Sequence, residues 1–157
     1  MKLKYKWLII IMLLSVTSNA KDCQAILSGK SPLSTEPISK HMDCIAESMS
    51  KSMKGKLPKR IDKFTRFDSI TNHSNRLIYQ YTLLNGFEKL VKNNFKPFAQ
   101  NITGTLKLQT CMGNMGTLIQ NGLIVQYLYK TEDNIIRANT IIDNQKCQSV
   151  YSAISKE

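Results

Sequence analysis

Apolar and polar residues alternate at two places along the chain in nearly the same words. Asn75-Arg-Leu-Ile-Tyr-Gln-Tyr-Thr-Leu83 and Asn121-Gly-Leu-Ile-Val-Gln-Tyr-Leu-Tyr129 are identical at five of nine positions. β-Branched and aromatic side chains at a period of two mark strands with one buried face. In the first strand Leu77, Tyr79, Tyr81 and Leu83 fall on one side, opposite Ile78, Gln80, Thr82 and Leu84, and the first set is the expected core face. In the second, Leu123, Val125, Tyr127 and Tyr129 align in the same way. Each belongs to a predicted hairpin. A strand over residues 64–71, imperfect in its alternation, precedes the turn residues Thr71-Asn-His-Ser-Asn75. Thr131-Glu-Asp-Asn134 leads into a fourth strand at 135–142 that runs on toward Cys147. The echo does not extend outward, so convergence on a good strand pattern explains it as well as duplication does.

Between and before the strands the period changes to that of a helix. Ile38, Met42, Ile45 and Met49, extended by Met53, predict a helix from about Pro37, with Ser34 or Thr35 as cap, Glu36 favourable at its amino end, and Gly55 and Pro58 as stops. Phe87, Leu90, Val91, Phe95 and Phe98 predict a second, which Pro97 should end or kink. Residues 99–110 are ambiguous, with Gly104 as a break. A shorter helix over residues 111–120 places Cys111, Met115, Leu118 and Ile119 together, and Asn121-Gly122 closes it. Residues 21–36, rich in Ser, Lys, Gly and Pro, read as an irregular arm, and 148–157 as a short tail with a frayed helix as the alternative. The order of helix, two strands, helices, two strands predicts an α+β domain over residues 37–157: an antiparallel sheet of about four strands, in two hairpins, with helices on one face.

The amino end changes the setting of this domain. Met1-Lys-Leu-Lys-Tyr-Lys6 is a basic stretch, Trp7 to Val16 is an apolar run, and Thr17-Ser-Asn-Ala20 ends on a small residue, the layout of a signal peptide over residues 1–20. The run is shorter than the roughly 20 apolar residues that span a bilayer. Cys23 is separated from Ala20 by Lys21 and Asp22, which is not the spacing of a lipid-anchored cysteine. A soluble periplasmic or secreted protein is therefore expected, with no transmembrane segment once the leader is gone. Removing twenty leader residues leaves 137 of the 157 and, because the leader carries Lys2, Lys4 and Lys6 and no acid, lowers the formal charge from +11 to +8. For an exported chain so basic, the partners in reach are another envelope protein or an anionic envelope component. Nucleic acid is excluded by the export signal and the missing binding motif.

Export also decides how the cysteines are read. Cys23, Cys44, Cys111 and Cys147, four in an oxidising compartment, predict two disulfides. Three pairings are open. Cys23–Cys44 with Cys111–Cys147 is preferred, because each bond then joins a segment to an element it would pack against. No Cys-x-x-Cys or cysteine-histidine spacing of the zinc kind occurs, so neither a metal site nor thiol catalysis is expected.

Catalytic residues are not expected either. The two histidines, His41 and His73, have no nucleophile or acid at a telling spacing, and Asp62, Asp68, Glu132, Asp133 and Asp143 are dispersed through presumptive turns. A copper(I) site from His41, Met42, Met49, Met53, Met112 and Met115 competes with the ordinary reading of methionine as core filler, and no cofactor is expected. Asn72-His-Ser74 and Asn101-Ile-Thr103 have the form of glycosylation acceptors, which matter only in a eukaryotic secretory pathway. The remaining candidate is Tyr79, Tyr81, Tyr127 and Tyr129 as an aromatic partner surface, wherever helices leave their face uncovered.

Leu57-Pro-x-x-Ile61-Asp62-x-x-Thr65, then Asn75-x-Leu-Ile-Tyr79-x-Tyr81, Cys111, Gly122, Tyr127-x-Tyr129 and Cys147, resembles a pattern found in small, exported, largely uncharacterised bacterial envelope proteins. The resemblance covers residues 57–147. It implies a cell-envelope protein with a cysteine linking the late helix to the last strand. The expected function is thus a non-enzymatic binding or accessory protein of the envelope, in secretion or surface assembly. The alternative is a periplasmic inhibitor or immunity protein against a wall-directed toxin or enzyme.

Overall fold

The computed structural model describes residues 23–30 and 36–155. The expected signal peptide and the candidate caps Ser34 and Thr35 lie outside the described residues. Five strands form one sheet in the order β1 (Lys59–Arg60), β2 (Thr65–His73), β3 (Arg76–Leu83), β4 (Ile124–Thr131) and β5 (Ile136–Ile142). The two hairpins, β2–β3 and β4–β5, are antiparallel, as their turn residues imply. The pairing between them is not: β3 and β4 run parallel, so the sheet is mixed where an antiparallel one was expected. The reason is the connection. Residues 84–123 return the chain to the end of the sheet where β3 began, so β4 enters in the same direction. The fifth strand, β1, is too short to show a period, and it pairs Lys59 with Phe67 and Arg60 with Arg66 at the sheet edge.

The imperfect alternation of β2 has a local cause. Its register with β3 slips between Phe67 and Ser69, a bulge at Asp68 that lets Phe67 and Ile70 pair with Tyr81 and Tyr79. The strand also runs further than expected, through His73, leaving Ser74 and Asn75 as the turn.

Helices gather on the face that carries Leu77, Val125, Tyr127 and Tyr129. α1 (Cys23–Leu27) replaces part of the irregular arm: its first residue is bonded to Cys44 and its Ile26 is buried. A 3-10 turn at Ile38–His41 precedes α2 (Met42–Ser52), whose Met42, Ile45 and Ala46 enter the core, while Ile38 stays exposed. α3 (Phe87–Leu90) is a single turn, ended where Lys92 and Asn93 adopt positive φ. α4 (Phe95–Met112) then starts afresh, its Asn94 side chain accepting from the Lys96 N–H at 3.3 Å. Pro97 therefore sits in a first turn, where its missing N–H had no partner to lose, and neither ends nor kinks a helix. α4 also continues through Gly104, closing the stretch that was ambiguous in the sequence.

At Gly113 the chain bends into α5 (Met115–Gln120), so the helix expected over 111–120 is divided. A β-carbon on Gly116 would lie 2.1 Å from the Cys111 carbonyl oxygen, and this joint accepts no side chain. α6 (Asn144–Ile154), capped by Asp143, takes the helical alternative for the tail but starts earlier than expected, so that it contains Cys147. The Cys111–Cys147 disulfide consequently links helix to helix rather than helix to strand. One core cluster results, with Leu77, Ile119, Leu123, Val125 and Ile142 fully enclosed.

Candidate functional site

Parallel pairing of β3 with β4 puts Tyr79 beside Tyr127 and Tyr81 beside Tyr129. Their rings stack, with centroids 5.1 Å and 4.7 Å apart. Phe67 of β2 stacks on Tyr81 at 4.8 Å, and Phe98 of α4 meets Tyr129 edge-on at 5.8 Å. Phe98 in turn meets Phe87 of α3 at 4.9 Å. An aromatic ladder thus crosses three strands and climbs into the helices, each contact in the stacked or edge geometry that aromatic quadrupoles favour.

The ladder is not uniform. Tyr127 and Tyr129 are both buried in the core, and the Tyr127 hydroxyl shares a hydrogen bond with Thr110 at 2.9 Å. Half-buried Tyr81 and one side of Tyr129 also line a cavity of about 400 Å³ together with Phe64, Phe87, Phe98 and Ile102. Asp62 and Lys63 stand at its rim. Phe87, Phe98 and Ile102 also wall a second cavity of about 500 Å³ bordered by Leu90, Val91 and Pro97. The Arg137 guanidinium lies 4.2 Å over the ring of Phe95. Leu90, 60 % exposed, and Ile61, 55 % exposed, flank the two ends. A continuous apolar strip of this kind on a small protein marks a contact surface.

Burial sets the electrostatics of the strip. Desolvation pushes the Tyr79 and Tyr129 hydroxyls up to about 12, helped in each case by Tyr127. Tyr81 moves upward for the same reason, with Tyr129 reinforcing it, and Tyr127 moves up against the opposing pull of its Thr110 bond. All four remain neutral hydroxyls at physiological pH, suited to apolar contact with a hydrogen-bonding tip.

The four tyrosines named from sequence are therefore brought together as a row, but only Tyr81 and Tyr129 reach the groove. Phe64, Phe98 and Ile102 complete it and were not singled out as site residues. For Phe98 a signal was available, since residues 87–98 hold more large apolar side chains than one short helix face can bury; for Phe64 and Ile102 there was none. His41 is buried at the start of α2 and His73 is exposed at the tip of the first hairpin. The methionines do not form a set, since Met42 lies in the core and Met112 is 55 % exposed. Among the described residues no group of three or more His, Cys, Asp or Glu side chains could hold a metal ion, and no helix is long and apolar enough to cross a membrane.

Fold and groove together define a small α+β domain, stapled by two disulfides, with a mixed sheet covered by helices on one face. No protein-family model matches the chain, and no curated protein matches it in sequence. Solved structures do match in fold. A protein of Pseudomonas aeruginosa described as secreted is 16 % identical, with a TM-score of 0.55 over 72 % of this chain and 98 % of that one. The pilotin EpsS of the Vibrio vulnificus type 2 secretion system is 11 % identical, with a TM-score of 0.57 over 70 % of this chain and 94 % of its own. The type II secretion system pilotin AspS of Vibrio cholerae is 12 % identical, with a TM-score of 0.53 over 69 % and 94 %. At these identities the likeness is one of architecture.

Proposed function

We propose that this protein is a non-enzymatic accessory of the bacterial cell envelope, exported and disulfide-bonded, which holds an apolar segment of another envelope protein in the groove between Tyr81, Tyr129 and α4. The observation that carries the reading is the pair of cavities meeting at Phe87, Phe98 and Ile102, with exposed Leu90 beside them. The export signal, the two disulfides and a fold shared with two secretion-system pilotins support it.

A photo-crosslinking residue placed at Ile102 tests the reading in living cells. It should capture a component of a secretion or surface-assembly complex, and Phe98→Ser should reduce that capture at least about tenfold, as expected for an aromatic anchor worth over about 1.4 kcal/mol. Capture that Phe98→Ser leaves unchanged, or no capture at all, refutes the groove.

A further inference from the structure

We infer that the outer edge of β2, at Ile70 and Asn72, accepts an extended acidic segment of another polypeptide as an added strand, at a site apart from the groove of Tyr81 and Phe98. The sheet leaves this edge open. β1 pairs only with Arg66 and Phe67, and β2 runs on to His73 with no strand beyond it. The register says which groups are left over. Ser74 and Asn75 form a two-residue turn, so the flanking His73–Arg76 pair exchanges hydrogen bonds, as then do Thr71 with Ile78 and Ser69 with Gln80. The bond from the Ile124 N–H to the Asn75 carbonyl fits that phase, since it turns the odd-numbered residues of β3 toward β4. The N–H and C=O groups of Ile70 and Asn72 therefore point away from β3, two sets about 7 Å apart, which is the repeat of a strand. Among the described residues no backbone bond outside the ladders reaches them.

The edge opens on a slot. Residues 68–72, consecutive along the strand, line a cavity of about 420 Å³. Side chains from both faces of one strand share a cavity only along its edge. The opposite wall is the end of α2 and the connector after it, with Lys51, Met53, Lys54 and Leu57. Ser50 ties the two walls together, its hydroxyl donating to the Asn72 side-chain oxygen at 2.8 Å. A slot between a strand edge and a helix end has the layout of strand addition: the edge supplies backbone bonds, and the helix side supplies contacts for alternate side chains.

The walls choose the occupant. Met53, Leu57 and Ile70 are half-buried and offer apolar contact to every second side chain of the added strand. The charges are one-sided once their pairs are removed. Asp68 already accepts from Arg66 and Thr82, and Lys51 is paired with Glu47. Lys54 is exposed and has no ion-pair partner among the described residues. The open charge at the slot is thus positive, and its complement is a carboxylate on the added strand. A second copy of this chain fits less well. Paired antiparallel through β2, both copies would carry α2 on the same face of the joined sheet and bring two helix ends into one slot.

The test uses the purified, disulfide-bonded protein and a fluorescent synthetic peptide in which valine alternates with threonine and glutamate. Its anisotropy should rise and saturate. Methylating one alternate set of the peptide's amide nitrogens should abolish binding and methylating the other should leave it, since only every second amide of an added strand faces its neighbour. Asn72→Pro removes an outward donor at a position that an edge strand tolerates, and should weaken binding at least about tenfold while Asn72→Ala does not. If Asn72→Pro lowers the unfolding midpoint, the methylation pattern and Lys54→Glu decide alone. A peptide with lysine for glutamate should bind about fivefold more weakly, and Lys54→Glu should reverse that preference without moving Tm. Phe98→Ser should bind the peptide like the unaltered protein, which separates failure here from failure of the groove. Absence of binding, equal loss from both methylation patterns, or full binding by Asn72→Pro overturns the proposal. So does dimerisation of the unaltered protein that Asn72→Pro abolishes, which would give the edge to a second copy.

Discussion

Burial of the four ladder tyrosines has a consequence that can be titrated. Each hydroxyl ionises at a higher pH in the folded protein than in the unfolded chain, because its charged form is poorly solvated between β3, β4 and the helices. Below about pH 10 the unfolded tyrosines are protonated as well, and this contribution to stability is present in full. As pH rises above that value the unfolded chain gives up its protons first, so stability falls, by up to about 1.4 kcal/mol per pH unit for each tyrosine, until the folded groups titrate in turn. Tyrosinate absorbance and circular dichroism followed together from neutral to alkaline pH should change in one coincident step above about pH 10. Tyrosinate forming well before the fold is lost would show that the ladder is open to water. The core orientation of Tyr79 and Tyr81 was legible from their alternation with Ile78, Gln80 and Thr82. The hydrogen bond of Tyr127 was not, because its partner Thr110 arrives from a helix seventeen residues away.

Among the elements, α4 departed furthest from expectation. Pro97 and Gly104 both argue against one long helix when propensity alone is weighed, yet the first falls where a helix tolerates proline and the second costs only about 1 kcal/mol. Packing outweighs that cost: Phe98, Ile102 and Leu106 lie against the core, and Thr103 bonds Thr140 of β5 at 2.7 Å. Gly104 itself faces open space, and a β-carbon placed there would meet nothing within 4 Å. Gly104→Ala should therefore stabilise the protein by about 1 kcal/mol, raising Tm by about 3 °C. A lower Tm would mean that α4 needs a flexible point there. The same balance explains β2, whose bulge at Asp68 broke the period that identifies a strand from sequence.

For the molecule as a whole the two disulfides do different work. Cys111–Cys147 spans 36 residues and ties α4 to α6 across the core, whereas Cys23–Cys44 spans 21 and fastens the five-residue α1 chiefly to α2. Replacing Cys111 and Cys147 by Ala should cost about 4 kcal/mol, read from the urea midpoint. Replacing Cys23 and Cys44 should cost less and chiefly free α1, so that protease cuts near Leu27 while the rest resists. The reverse order would place α1 inside the cooperative unit. Both hairpins were legible because turn residues and alternation are local. The way the hairpins join was not, since the direction of β4 depends on where a forty-residue crossover returns.

That crossover also dictates the order of assembly. A chain made from its amino end presents β2 and β3 while β4 has yet to be synthesised, and β3 meanwhile displays a row of unsatisfied amide and carbonyl groups to whatever lies alongside. The interval closes only when residue 124 and its successors emerge. A nascent hairpin in that condition is a sticky half-sheet, so a holding chaperone has its greatest effect on this protein before the second half arrives.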